Sequence, residues 1–297
     1  MKNTELISII IVTYNSNEFI IDCLRSIQSR IIRVPKEIII VDNNSSDDTL
    51  LLIQSFNKEI LIIRNLINVG YAVACNQGIK KANGSYVFLL NPDTQIVNEV
   101  EIIFSQFLEK LDSKNVWCVG AQLLDGYGKD TKSFGKFPNI FDVLFEQIGI
   151  KRILLRDWDK LTENKRHTNY LNTEVPYILG CNMFIRKSVL DEIGLFNEDF
   201  FLNFEETELA WRARKAGYRS IIIPEANIIH YSGKSFSDKK NYLSHLWYGQ
   251  LLFFKLTKGS FVFNIAKAIH LVGALLRLVF KFDNFYLTHS KRILAIK

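Results

Sequence analysis

The chain has 297 residues, 48% of them hydrophobic, and a formal net charge of +6. That content supplies a core for one large α/β domain with an appendage or for two modest domains, and it excludes a disordered chain. A modest basic excess suits an anionic membrane surface or a phosphate-bearing substrate, and no RNA-binding or helix-turn-helix signature points to nucleic acid.

Residues 7–12 form an apolar run too short for a secretory leader and read as a buried strand. A helix is predicted over residues 17–29, with Phe19, Ile20, Cys23, Leu24 and Ile27 on one face. Residues 37–41 are a second strand. Residues 47–56 are a helix opened by Ser and Asp, which suit an N-cap. A third strand follows at 59–64, a third helix at 70–82 stopped by Asn83-Gly84, and a fourth strand at 86–90. Apolar strands separated by helices predict a mostly parallel sheet covered on both faces, with ligands bound beyond the carboxyl ends of the strands.

Further on, residues 97–111 predict a helix and 117–122 a strand, while 125–170 read as an irregular, loop-rich insertion. Residues 177–186 predict one strand, 187–193 a short helix, 205–216 a helix stopped by Gly217, and 218–223 the last clear strand. Two apolar helices close the chain at about 242–256 and 261–280. In the second, Asn264, Lys267, His270, Ala274, Arg277 and Lys281 form one polar or small stripe, the pattern of a helix lying in a membrane interface, and Lys291 and Arg292 add charge beyond it. Residues 1–240 are thus expected to form the catalytic domain, in halves of about 1–122 and 123–240, and 241–297 a helical appendage. Cys23, Cys75, Cys118 and Cys181 stand singly in apolar surroundings, which suits a reduced, cytoplasmic protein.

Six segments hold chemistry. Thr13-Tyr14-Asn15-Ser16 sets polar groups at the open edge of the sheet, although a plain strand-to-helix turn looks the same. Asp42 ends an apolar strand and can accept hydrogen bonds from a base or a ribose, whereas Ser46 and Asp47 read as a helix cap. In residues 68–78, which include Asn76, small side chains suit either tight helix packing or ligand approach. Pro92 stiffens the turn between Asn91 and Asp93, and Asp93 offers a hard oxygen for Mg²⁺ or Mn²⁺. Glu205, Glu206 and Glu208 open a helix, where the macrodipole favours acids; an aromatic run before them would desolvate Glu205 and Glu206 and make a useful general base. His230 follows an apolar strand and alone reads as structural, as do His167, His245, His270 and His289.

In this order the segments resemble family 2 of the glycosyltransferases, with the GT-A fold, and most closely the rhamnosyltransferase-like branch. The resemblance spans about residues 5–235 and rests on residues 9–15, 39–45, 68–72, 90–94, 194–201, the Glu205-Glu206-x-Glu208-Leu209 run and His230-x-x-Gly233-x-Ser235. It implies that Thr13, Tyr14, Asn15, Asp42, Asn76, Asn91 and Asp93 hold a nucleotide sugar. It further implies that Asp93 and His230 hold Mg²⁺ or Mn²⁺, and that Glu206 is the catalytic base of an inverting transfer. Asn91 stands where the family's metal-binding motif begins with Asp, so it is expected on sugar or ribose. Glu208 is expected to be structural, and Arg212 either faces phosphate or pairs with Glu208.

The expected donor is a nucleotide sugar, a deoxysugar such as dTDP-rhamnose ahead of a UDP-hexose. The expected acceptor is a saccharide, lipid-linked for surface polysaccharide, met by a peripheral protein on the inner face of the plasma membrane. A homo-oligomer stays open. A catalytically silent nucleotide-sugar-binding protein is disfavoured by the joint presence of Asp93, Glu206 and His230. A nucleotidyltransferase is disfavoured by the lack of a Gly-rich, basic loop after the first strand.

Overall fold

The computed structural model describes residues 6–109, 114–147, 173–231, 239–281 and 284–296. Gly233, Ser235 and His167 therefore lie outside the described residues.

The first hundred residues alternate as predicted. β1 (Ile7–Thr13) leads to α1 (Ile20–Arg30), β2 (Lys36–Asp42) to α2 (Thr49–Phe56), β3 (Leu61–Arg64) to α3 (Tyr71–Lys81), and β4 (Tyr86–Leu90) follows. β1 and β4 are buried almost throughout, because helices cover both faces of the sheet they occupy. After β4 come β5 (Thr94–Ile96), α4 (Val100–Leu108), β6 (Val116–Leu124), β7 (Phe134–Gly135) and α5 (Ile140–Gln147). β8 (Thr173–Val175), β9 (Tyr177–Ile178), β10 (Asn182–Arg186), α6 (Lys187–Ile193), α7 (Glu205–Lys215) and β11 (Arg219–His230) complete the sequence of strands. The chain ends in α8 (Lys239–Thr257), α9 (Gly259–Lys281) and α10 (Asn284–Ala295).

The main sheet runs β3-β2-β1-β4-β10-β6-β11-β5, with β8 added on β11. β1, β2, β3 and β4 are mutually parallel, β6 is parallel to β11, and β10 joins the two groups by antiparallel pairing. This is the mostly parallel, helix-flanked sheet expected of a GT-A fold.

Several elements differ from their sequence reading for identifiable reasons. The strand expected over 177–186 is two, β9 and β10, with β10 alone in the main sheet. The strand expected to stop at Ile223 continues to His230. Pro224 lacks a ladder donor, and the chain passes it by an irregularity between Ile223 and Asn227 before pairing resumes. The insertion expected to be irregular contains the helix α5, and α10 was not foreseen.

The chain packs as two compact units. One contains all eleven strands with α1–α4, α6 and α7; the other contains α5, the turn Leu202–Phe204 and α8–α10. In the first unit the core gathers Ile9, Ile11, Phe88, Phe104 and Phe184, with Phe88, Phe104 and Phe184 in mutual ring contact. All four cysteines are buried and unpaired.

In the second unit the polar stripe of α9 turns inward, against expectation for an amphipathic helix that keeps its polar face in water. His270 lies buried between Gln147 of α5 and Gln250 of α8, at 3.1 and 2.9 Å. Arg277 donates to the Gln147 side chain at 2.6 Å and to the Gln147 carbonyl at 2.8 Å, closing the C-terminal end of α5. Lys267 donates to the Ile296 carbonyl at 2.6 Å. Only Asn264 of the described stripe is exposed.

Candidate active site

The site begins at the carboxyl ends of β1, β2 and β4. Thr13 and Asp42 are register partners in the parallel pairing of β1 and β2. Thr13 donates to Asp42 at 2.9 Å, and the Ser45 backbone and hydroxyl donate to the same carboxylate at 3.0 and 2.5 Å. Both residues are buried, so they form a rigid floor, with Tyr14 and Asn15 exposed above it. Asn15 takes a left-handed backbone (φ 51°). Its side-chain oxygen accepts from Ser46 N–H at 2.8 Å, which ties the β1 and β2 loops together.

A cleft of about 360 Å³ opens beside this floor, lined by Asn15, Ser16, Asn17, Glu18, Phe19, Pro92 and Asp93. Asp93 enters it from the turn after β4. That turn is fixed by the Asn91 carbonyl, which accepts from the Thr94 hydroxyl at 2.7 Å. Among the described residues the half-buried Asn91 amide makes no protein hydrogen bond, which leaves it for a ligand.

The continuation of β11 past Pro224 brings His230 to Asp93. β5 pairs antiparallel with the end of β11, His230 opposite Thr94, and Tyr231 N–H donates to the Asp93 carbonyl at 3.0 Å. His230 Nε2 thereby lies 3.4 Å from Asp93 Oδ1, and its Nδ1 faces Cys181 Sγ at 3.8 Å. Burial works against charge on this imidazole, but Cys181 and the Asp93 carboxylate outweigh it, raising His230 from 6.5 to about 10. Tyr231 stacks on Phe19 with ring centroids 5.9 Å apart and bonds Gln95 at 3.1 Å, bracing the same corner.

The acidic helix start stands across the segment Tyr177–Cys181. Glu205 is buried, and its Oε2 has no hydrogen-bond partner among the described residues. Burial first, and then the charge of Glu206, raise Glu205 well above the usual carboxylate range. The Tyr177 hydroxyl is raised in the same way, by burial and then by the charge of Glu206. Tyr71 reaches over from α3, donating to the Gly180 carbonyl at 2.9 Å, and feels Glu205 and Cys181. Cys181 thus touches the Asp93–His230 pair at one end of this segment, while Tyr177 meets Glu205 and Glu206 at the other.

Two other predicted residues prove to be internal. Asn76 is buried in α3, donates to the Phe196 carbonyl and Glu198 carboxylate at 2.9 Å each, and accepts from Phe196 N–H at 3.0 Å. It pins the 194–201 loop and is not among the residues that line the cleft. Arg212 donates to both Glu208 oxygens, at 2.8 and 3.0 Å, and to the Ile193 and Leu195 carbonyls, which settles its partner as Glu208. Arg212→Met should therefore lower stability by about 1–3 kcal/mol, because the buried Glu208 loses its ion pair, with donor affinity unchanged. Thermal melting and donor titration of the one variant check both halves.

Gly70 precedes α3, against the backbone of Phe201. Its φ is +88°, and a Cβ there would lie 2.6 Å from the Phe201 carbonyl oxygen, which also accepts from Tyr71 N–H at 2.7 Å. Gly70→Ala should cost about 2 kcal/mol or more, read as a fall in melting temperature. Sequence reasoning missed Phe19, Tyr177, Cys181 and Tyr231 as site residues. An aromatic or a cysteine gains such a role only from its neighbours, and the spacing of 177–181 resembles an ordinary strand.

Asp93 and His230 suit a divalent metal. One hard carboxylate and one imidazole face each other at a cleft edge through Asp93 Oδ1 and His230 Nε2, with Cys181 on the opposite, Nδ1 side of the ring, and among the described residues no group of three or more acids, His or Cys gathers as a metal cluster. Mg²⁺ and Mn²⁺ accept such sparse protein ligation when phosphate oxygens and water fill the remaining positions.

Comparison with known proteins bears on the family and the fold. The chain is 23% identical over 263 residues to the Mycobacterium tuberculosis N-acetylglucosaminyl-diphospho-decaprenol L-rhamnosyltransferase, covering 82% of this chain and 81% of that one. Its fold is similar to that of the mannosyltransferase PcManGT from Pyrobaculum calidifontis, solved with GDP-Man and Mn²⁺ (TM-score 0.58, 16% identity, 99% of this chain and 75% of that chain). It is also similar to Staphylococcus aureus TarS (TM-score 0.55, 15% identity), covering 92% of this chain but spanning only 44% of TarS. The sequence model of Glycosyl transferase family 2 matches residues 8–194, more than half of the chain, and the protein belongs to that family.

Proposed function

We propose that the protein is a metal-dependent, inverting glycosyltransferase that moves a deoxysugar from a nucleoside diphosphate to a lipid-linked saccharide. The observation that supports it most is the Asp93–His230 pair at the edge of a cleft that opens beside the ends of β1 and β2. The exposed Tyr14 ring and Asn15 offer a surface for the base, over the Thr13–Asp42 floor, and the Asn91 amide is left for ribose or sugar. Asn76 supports the site from beneath, through the 194–201 loop.

Asp93 and His230 would hold Mg²⁺ or Mn²⁺, which when bound screens the charge that develops on the departing diphosphate. Glu206 takes the proton from the acceptor hydroxyl, and that oxygen attacks the anomeric carbon opposite the leaving group. Glu205 is buried beside it and Glu206 half-buried, which makes Glu206 the more accessible of the two acids. Rhamnose as donor sugar and a lipid carrier on the acceptor are suggested by the name of the mycobacterial relative. A UDP-hexose donor is the second reading. Work on such an acceptor would set the protein on the inner, cytoplasmic face of the plasma membrane. A panel of nucleotide sugars with Mn²⁺ tests the reading: dTDP-rhamnose should give the largest thermal stabilisation, and stabilisation by no nucleotide sugar would refute it.

A further inference from the structure

Inversion of the α9 stripe leaves the apolar side of that helix outside. Phe261, Ile265, Val272, Leu275, Leu276 and Val279 are exposed, Phe261 by 77% and Val279 by 62%. They lie three, four or seven residues apart on one face, with Leu275 and Leu276 adjacent, and so form one line of about 27 Å along the helix. The buried side of α9 is Phe263, Ala266, His270 and Ala274, packed against the unit's other helices. The stretch Gly259–Val279 has a mean hydropathy of 1.6 and is long enough to cross a bilayer, but its inward residues are engaged. Lys267, His270 and Arg277 are bound to groups of α5, α8 and the end of the chain. A helix held this way along one side can offer only its other side to lipid.

Charge identifies the occupant. Residues 239–297 contain ten lysines and arginines against one acid, Asp283, whereas the first 238 residues contain 27 against 30. Lys255 and Lys291 are exposed on α8 and α10. A second copy would bring two such cationic surfaces together, while an anionic bilayer offers both hydrocarbon and counter-charge. We propose that the outward line of α9 lies flat in the surface of an anionic bilayer, with the exposed Lys255 and Lys291 at the level of the lipid phosphates. This rests on the reading above only in giving a lipid-linked acceptor a surface to be met on. It does not depend on the donor.

Full-length protein should co-sediment with vesicles of equal parts phosphatidylcholine and phosphatidylglycerol, and more weakly with phosphatidylcholine alone. The variant Phe261→Gln, Leu275→Gln, Val279→Gln should bind the anionic vesicles at least about tenfold less, with nucleotide-sugar hydrolysis unchanged. Loss of hydrolysis in the wild type would count against the catalytic reading and leave docking untouched. Val272→Cys carrying an environment-sensitive dye gives an independent reading, because the four native cysteines are buried. Its emission should shift to the blue on anionic vesicles and stay put in buffer. Equal binding by the triple variant, no binding by the wild type, or a blue-shifted dye in buffer that reports a dimer would each overturn the proposal.

Discussion

Glu206→Gln should lower transfer about 10²–10⁴-fold, the usual worth of general-base assistance, while donor affinity stays within about twofold. The amide keeps the size of the carboxylate and its place at the start of α7, and it cannot accept a proton. The neighbour sharpens the prediction. Glu205 is buried whereas Glu206 is half-buried, so Glu206 is the acid of the pair that an acceptor hydroxyl can reach. Glu205→Gln should accordingly retain most of the activity. Single-turnover rates at saturating donor separate the two variants; equal loss in both would reassign the base.

Asp93→Ala should weaken Mn²⁺-dependent binding of a nucleoside diphosphate by about 10²-fold or more, and His230→Ala should act in the same direction. Neither should matter when the metal is chelated. Acidity adds a second signature. In the metal-free protein the His230 pKa is raised from 6.5 to about 10, so a proton occupies the imidazole at neutral pH and pairs with Asp93. A metal must displace that proton, and apparent affinity should climb as pH rises toward about 10. The same shift stabilises the metal-free fold. That contribution is complete below pH 6.5 and is lost as pH rises through about 10, because above that pH the imidazole is unprotonated in both the native and the unfolded state. Binding isotherms of wild type and Asp93→Ala across pH, with and without chelator, check all of this.

Much of the sheet was legible because its strands are apolar throughout and its helices carry a clear face. β4 and α6 agree with their predicted bounds, since Pro and Gly punctuation surrounds them. Legibility failed where tertiary pairing overrides local sequence. Pro224 reads as a strand terminator, yet β11 continues past it because β5 and β6 offer partners on both sides. That continuation is what sets His230 against Asp93, so their contact could not be derived from the spacing of either motif. The α9 stripe shows the complementary failure: periodicity identifies two faces of a helix, but only packing against α5 and α8 decides which of them faces inward. Asn76 was grouped with ligand contacts through its small neighbours; its amide is instead consumed by the backbone and side chain of the 194–201 loop.

A crystal grown with Mn²⁺ and a nucleoside diphosphate, measured at the manganese absorption edge, tests the site most directly. The predicted result is one anomalous peak bonded to both Asp93 and His230, with diphosphate oxygens on its far side and Glu206 outside its coordination. A peak elsewhere, or one ligated by Glu206, would contradict the division of roles between the metal pair and the base.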